Sequence, residues 1–223
     1  MIERPILFSG PMVRAILDGR KTQTRRVVKG FALELLHPDN FTPEYVALPE
    51  NDLSPYGYAG DHLWVKETFV AFGRWETRYS EEKGRDEWHF VDMTVEAGFA
   101  YRFDGADPDA RRRAGAAPTW HTRPSIFMPR AASRITLENA GVRVERLNSI
   151  SEADAIAEGI ERHYTGWRPY TTMFYEADGV TPANYLRDPR DSYRQLWDSL
   201  NAARGYGWDV NPWVWVVEFR RVQ

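Results

Sequence analysis

Residues 19–26 read GRKTQTRR, and the reading of these eight positions decides the fold. Just upstream, Ser9-Gly10-Pro11 is a helix-start signal, because proline in the first turn removes no hydrogen bond the helix would make. Met12, Val13, Ile16 and Leu17 then form an apolar stripe, and Gly19 is suited to end the helix. The stretch therefore opens at a helix C-terminus and runs into TQTRRVV, rich enough in Thr and Val for a strand. In an extended strand Thr22, Thr24 and Arg26 share one face, while Gln23, Arg25 and Val27 share the other. Lys21 stands at the turn, where this alternation does not fix its direction.

Beyond the stretch, residues 37–61 carry Pro38, Pro43, Pro49, Pro55, Gly57 and Gly60 and read as loop. GDHLWVKETFVAF (60–72) reads as a turn and a buried strand. Residues 73–118 read as an insertion with two strands, EWHFVDM and GFAYRF, and a polar stretch from Gly105 to Pro118 that is a candidate mobile loop. ASRITLENAGVRVERL (132–147) predicts two strands joined in a hairpin at Asn139-Ala140-Gly141. SISEADAIAEGI (149–160) predicts a short helix capped by Ser149 or Ser151. Residues 161–187 form a second, aromatic-rich insertion whose Tyr164, Trp167, Tyr170, Phe174 and Tyr175 can stack bases or build a satellite core. DPRDSYRQLWDSLN (188–201) is an amphipathic helix with Tyr193, Leu196, Trp197 and Leu200 on one face. NPWVWVVEFRRV (211–222) is a closing strand with Trp213, Trp215, Val217 and Phe219 on one side. Separated strands with only short helices point to one α+β domain, a mixed β-barrel with two insertions, rather than a βαβ sheet.

The 223 residues contain no cysteine, which excludes disulfides, thiol catalysis and thiolate metal sites and fits a reducing cytoplasm. No run of about 18 uncharged apolar residues occurs, so no membrane span is expected. The five histidines show no metal-ligand spacing, and no Gly-rich phosphate loop is present, so no cofactor is expected. The net charge of −3 gives no global attraction to nucleic acid. Its distribution is less neutral. Residues 1–30 hold seven Lys/Arg against two acids, and residues 123–146 hold five Arg against two Glu. Two basic segments on an acidic chain predict a local patch.

The order of helix, GRKTQTRR, GDHLWV, strand pair, ISEADAIAEGI, helix and WVWVVEF resembles the ASCH-domain family, whose members are small β-barrels of the PUA-like class. The family signature is a glycine, a lysine two positions on, an acidic residue three later, then an arginine. Gly19, Lys21 and Arg26 match it, while Thr24 stands where the acidic residue is usual. With that departure, GRKTxTxR is similar to the ASCH amidohydrolases that convert N(4)-acetylcytidine to cytidine and acetate with a lysine, a threonine and a glutamate. Lys21 and Thr24 correspond by motif. Glu158 of SEADAIAEG corresponds more loosely, with Glu152 and Asp154 within six residues of it. WVKE and MPRAASR are similar to stretches of larger phage and prophage ASCH proteins.

The resemblance implies a nucleoside or nucleic-acid substrate and this chemistry. Thr24 supplies a hydroxyl nucleophile or holds a water, and Lys21 accepts its proton. Lys21 is made less basic by desolvation and by Arg20, Arg25 and Arg26. Glu158 orients the substrate amine or moves its proton, with Glu67 as its rival. Arg20, Arg26, Trp64, Lys66, Glu67, Arg130 and Arg134 are candidate substrate contacts, the arginines to phosphate or a base face and Trp64 with Lys66 at a barrel mouth. Two alternatives share the fold: a PUA-like RNA- or DNA-binding module without turnover, and a ribonuclease of the kind attributed to some ASCH proteins.

Overall fold

In chain order the elements are β1 (Glu3–Leu7), α1 (Gly10–Leu17), β2 (Gln23–Val27), α2 (Phe31–Leu35), α3 (Pro43–Val46), β3 (His62–Lys66), β4 (Phe69–Ser80) and β5 (Arg85–Asp92). There follow β6 (Thr119–Arg123), β7 (Thr136–Arg146), α4 (Glu152–Ala157), β8 (Arg162–His163), β9 (Gly166–Trp167), α5 (Pro189–Asn201) and β10 (Trp213–Arg221). These come from a computed structural model that describes residues 1–36, 40–105, 108, 113, 115–171, 174–175, 177 and 184–222. The protein is α+β, mostly sheet with few helices. Among the described residues no helix is long and apolar enough to cross a membrane.

The chain divides into two compact units, one of residues 1–6, 11–64 and 135–223, the other of residues 7–10 and 65–134. The insertion expected at 73–118 lies inside the second unit.

The first unit is organised by a five-stranded sheet in the order β1-β3-β7-β10-β2. The expected helix is α1, which buries Val13, Ala15 and Ile16 and ends where Gly19 adopts φ +72°. In the sheet, β10 lies between β7 and β2 and is antiparallel to both, with Val217 opposite Thr24, Val216 opposite Arg25 and Trp215 opposite Arg26. One face of β10 presents Val214 and Val216 to a core completed by Leu147, Ile150, Ala155, Ile160, Tyr193 and Trp197. The amphipathic α5 delivers its Tyr193 and Trp197 to that core, as its 3.6-residue period requires. Trp167 and Tyr170 of the second insertion pack against the same core, while Tyr164, Phe174 and Tyr175 are exposed.

Several expectations are corrected. The sheet is not a closed barrel. Closure needs the outer edge of β2 to pair with β1, but where that edge begins it meets the end of α4 instead, through a Lys21–Glu158 bridge and the Thr22 N–H donated to the Ala157 carbonyl at 2.9 Å. The hairpin at Asn139-Ala140-Gly141 is not a turn. β7 continues through it because β10 pairs along its length, and the ladder slips where Gly141 faces Glu218 but Asn139 faces Phe219. Ala140 is the extra residue of a β-bulge. The stretch 60–72 forms two strands, β3 and β4, and the prolines of 37–61 frame the short α3, whose N-cap Thr42 side chain accepts from the Tyr45 N–H. GFAYRF makes only an isolated bridge, at Arg102 with Val70. Half of the polar stretch from 105 to 118 lies outside the described residues, as does His37.

The second unit carries a three-stranded sheet, β5-β4-β6, over a small core of Phe69, Ala71, Met128 and Ala132. The Arg123 guanidinium there stands 4.6, 4.3 and 4.9 Å from the rings of Trp75, Phe90 and Phe127.

The bulge has a measurable role. Asn139 is fully buried and its Nδ2 donates to the Tyr56 carbonyl at 3.0 Å. Asn139→Ala is expected to lower unfolding free energy by about 1–3 kcal/mol, read as a lower urea midpoint with an unchanged slope.

Candidate functional site

Lys21 follows α1 and precedes β2, and its backbone bridges that of Glu158 at the end of α4. The approach depends on the next residue. Gly159 adopts φ +86°, and a Cβ there would sit 2.7 Å from Lys21 Cβ and 3.1 Å from Ala15 Cβ. Only glycine meets both demands. Arg20 reinforces the junction by donating to the Gly159 carbonyl at 3.0 Å.

The Lys21 side chain is 1% exposed and that of Glu158 4% exposed. Nζ donates at 2.8 Å to Glu158 Oε2, to the Glu158 carbonyl and to the Gln23 carbonyl. An ammonium has three protons, so this geometry uses all of them. One of the acceptors is a carbonyl at the C-terminal end of α4, where a cation is favoured. Burial lowers the Lys21 pKa from its ordinary value. Glu158 opposes that through its charge and hydrogen bond, and Arg26 and Arg25 add to the lowering.

Around this pair lies a network that sequence reading did not anticipate. Gln23 and Arg25 share a face of β2, the face covered by α4. Arg25 Nη1 donates to Gln23 Oε1 at 2.7 Å and to Glu158 Oε1 at 3.3 Å. Its Nη2 donates to Glu145 Oε1 at 2.6 Å and to Asp154 Oδ2 at 3.1 Å. Arg143 extends the network from Glu145 and Asp154 to Glu218. Three cations thus answer four carboxylates, from Arg25 at 0% exposure to Glu218 at 46%. The usable signal was the two-residue period that put Gln23 and Arg25 on one face of the strand. No sequence rule says which distant acids meet it.

Burial works against ionisation of Asp154, but the Gln23 hydrogen bond and the charges of Arg25 and Arg143 prevail and hold its pKa below the ordinary value. Burial also raises the Tyr193 hydroxyl well above the ordinary phenol value, with the Glu158 charge acting in the same direction.

Thr24 is not part of this network. Alternation carries it, with Arg26, to the opposite face of β2, across from Val217 and Trp215. It is buried. Lys21 and Glu158 are therefore joined directly, and Thr24 lies on the strand beside them. Arg26 and Trp64 are half-buried and Arg20 is exposed.

Lys66, Glu67, Arg130 and Arg134 belong to the second unit. There Glu67 is buried and receives Arg134 through Nε at 2.9 Å and Nη2 at 3.0 Å. Lys66 Nζ donates to the Ile126 carbonyl at 2.6 Å, and Arg130 is half-buried in a short turn.

Six of the twelve Lys and Arg in the two basic segments are paired with carboxylates. Arg4 pairs with Asp52 and Arg20 with Asp18, Lys21 and Arg25 are buried in ion pairs, and Arg134 and Arg143 each meet carboxylates. Among the described residues no group of His, Asp or Glu is disposed to hold a metal ion. Compared with protein-family models, curated proteins and solved structures, the chain matches none.

Two outcomes follow from this geometry. Gly159→Ala is expected to push Lys21 from the α4 end and to destabilise the fold by about 1–3 kcal/mol, seen as a lower thermal midpoint. Asp154, whose folded pKa is depressed, contributes stability above the unfolded carboxyl value near ~3.9. That contribution is lost as pH falls through the lower folded value. The stability gap between the wild type and Asp154→Asn should therefore narrow as denaturation is repeated from pH ~5 to below ~3.

Proposed function

We propose that the protein is an amidohydrolase of the PUA-like ASCH type that removes the acyl group from an N(4)-acylated cytosine nucleoside. The observation that carries this reading is the buried contact between Lys21 Nζ and Glu158 Oε2, 2.8 Å apart and 137 positions apart in sequence. These are the two residues that the ASCH resemblance pairs, and the rival Glu67 is engaged by Arg134. The element order around GRKTQTRR and the closing strand supports the same family reading.

In this reading Lys21 and Glu158 share a proton. In the form where it rests on the Glu158 carboxylate, Lys21 carries a free amine and serves as base. The nucleophile is a water met by the pair rather than the Thr24 hydroxyl, which strand alternation turns to the face of β2 away from Gln23 and Arg25. It attacks the acyl carbon and gives its proton to Nζ. The C–N bond then breaks, and the cytosine nitrogen leaves with a proton from the pair. The net reaction consumes one water and releases cytosine amine and carboxylic acid. Burial and the flanking arginines assist by making the ammonium easier to deprotonate.

A second reading is favoured by the placement of Thr24 with Arg26, on the face away from Gln23 and Arg25. A buried hydroxyl beside a half-buried arginine, with Lys21 fully engaged, suits a nucleotide- or nucleic-acid-binding surface without turnover.

Incubating the purified protein with N(4)-acetylcytidine and reading products by mass spectrometry separates the two. Cytidine and acetate are expected, with rates falling at least about 100-fold in Lys21→Ala and Glu158→Gln. No cytidine at high enzyme concentration, together with salt-dependent oligonucleotide binding weakened by Arg26→Ala, would favour the binding module. Shortened RNA in the same mixtures would instead point to a ribonuclease.

A further inference from the structure

We propose that Arg25 is the positioning residue of this site. Its guanidinium, anchored by Asp154 and Glu145, holds one oxygen of Glu158 so that the other is presented to Lys21. This rests on the reading of Lys21 and Glu158 as the proton-transfer pair.

The two oxygens of Glu158 are divided between two cations: Oε2 meets Lys21 Nζ at 2.8 Å and Oε1 meets Arg25 Nη1 at 3.3 Å. A glutamate at a helix end has three side-chain torsions, and one contact to a lysine leaves most of them free. The second contact fixes the carboxylate plane. Arg25 can do this because it is itself immobile. Its side chain is fully buried, and its two terminal nitrogens also bind Gln23, Glu145 and Asp154.

Those anchors are tied in turn. Asp154 accepts from Gln23 Nε2 at 3.1 Å and Arg143 Nη2 at 3.0 Å, and its backbone N–H is capped by Ser151 Oγ at 3.1 Å. Arg143 also holds Glu145 and Glu218. The frame thus joins β2, β7, β10 and the start of α4 to one carboxylate. The charged or titratable groups around the pair are Arg25 and Arg26 on β2, Asp154 on α4, Glu145 and Arg143 on β7, Glu218 on β10 and Tyr193 on α5. Among them Arg25 hydrogen-bonds both Glu158 and the acids beyond it, Glu145 and Asp154. A lysine in its place would keep the charge but lack the planar fork that serves several acceptors at fixed angles.

The test uses the full chain labelled with ¹⁵N-lysine. The sequence has four lysines, Lys21, Lys29, Lys66 and Lys83, so the ammonium spectrum is simple, and the Lys21 signal is the one lost in Lys21→Arg. In the wild type its protons should exchange slowly with water, being buried and held by three acceptors. In Arg25→Lys and in Asp154→Asn the exchange should quicken about tenfold or more while circular dichroism stays native. Turnover of N(4)-acetylcytidine should fall roughly 10- to 100-fold in kcat with KM within about twofold.

Native-like variants with an unchanged Lys21 signal and unchanged kcat would overturn the proposal, even if they unfold more readily, because that pattern is a purely structural role. Should Arg25→Lys fail to fold, Asp154→Asn, altered at the partly exposed end of the frame, decides alone. A wild type inert on N(4)-acetylcytidine would end the hydrolase reading. The Lys21 exchange rates would then judge Arg25 by themselves, unchanged rates refuting its hold on the pair and faster rates supporting it.

Discussion

A lysine ammonium and a glutamate carboxylate, both removed from water at the junction of α1, β2 and α4, set the terms for the first unit. Desolvating two charges costs several kcal/mol per ion, and their attraction offsets that only when every remaining donor and acceptor is satisfied. The surrounding structure is organised to satisfy them. Nζ finds three oxygens, Glu158 finds two cations, and Gly159 lets the two backbones approach closely enough for the contacts to form. Losing one partner would strand the other charge in the interior, a defect of about 3–5 kcal/mol.

The same junction explains why the sheet stays open. The outer edge of β2 is occupied at its start by residues 157 and 158, so backbone groups that would pair with another strand are already engaged. An edge covered in this way is protected from pairing with other chains. The charged network beyond it grades from a wholly buried arginine to a half-exposed glutamate, so a chain of ion pairs leads from the interior charge to the surface. A site built like this is stiff. Its chemistry would come from sharing one proton between two fixed groups, and its ligand would meet a preorganised surface.

Much of the local structure was legible because it depends on residues near one another. The Gly10-Pro11 start and Gly19 stop bounded α1, a cap at Ser149 or Ser151 marked α4, and the apolar face of α5 followed from its period, whereas β10 is buried on both faces and not only on the side of Trp215, Val217 and Phe219. The errors occurred where neighbours in space overrode neighbours in sequence. Asn139-Ala140-Gly141 has turn chemistry, yet β10 runs past it and holds β7 in one strand, leaving Ala140 to bulge. The arginines and lysine of residues 4–26 read as a basic patch, but Asp18 within the segment and Asp52, Glu145, Asp154 and Glu158 from farther along the chain neutralise four of the six, Arg4, Arg20, Lys21 and Arg25. Thr24 and Lys21 are three positions apart in a motif, yet strand alternation turns Thr24 to the face opposite Gln23 and Arg25.

The chain by itself determined α1, α4, α5, β2 and β10 and which residue types lie near Lys21 in sequence, since backbone propensity and side-chain period act over a few residues. Only the tertiary structure decided that Glu158 rather than Glu67 is the carboxylate on Lys21, and that Arg25 links it to Asp154 and Glu145. Those pairings join positions 120 to 137 residues apart, and in an interior that penalises unpaired charge they are chosen by packing of whole elements, which no local pattern encodes.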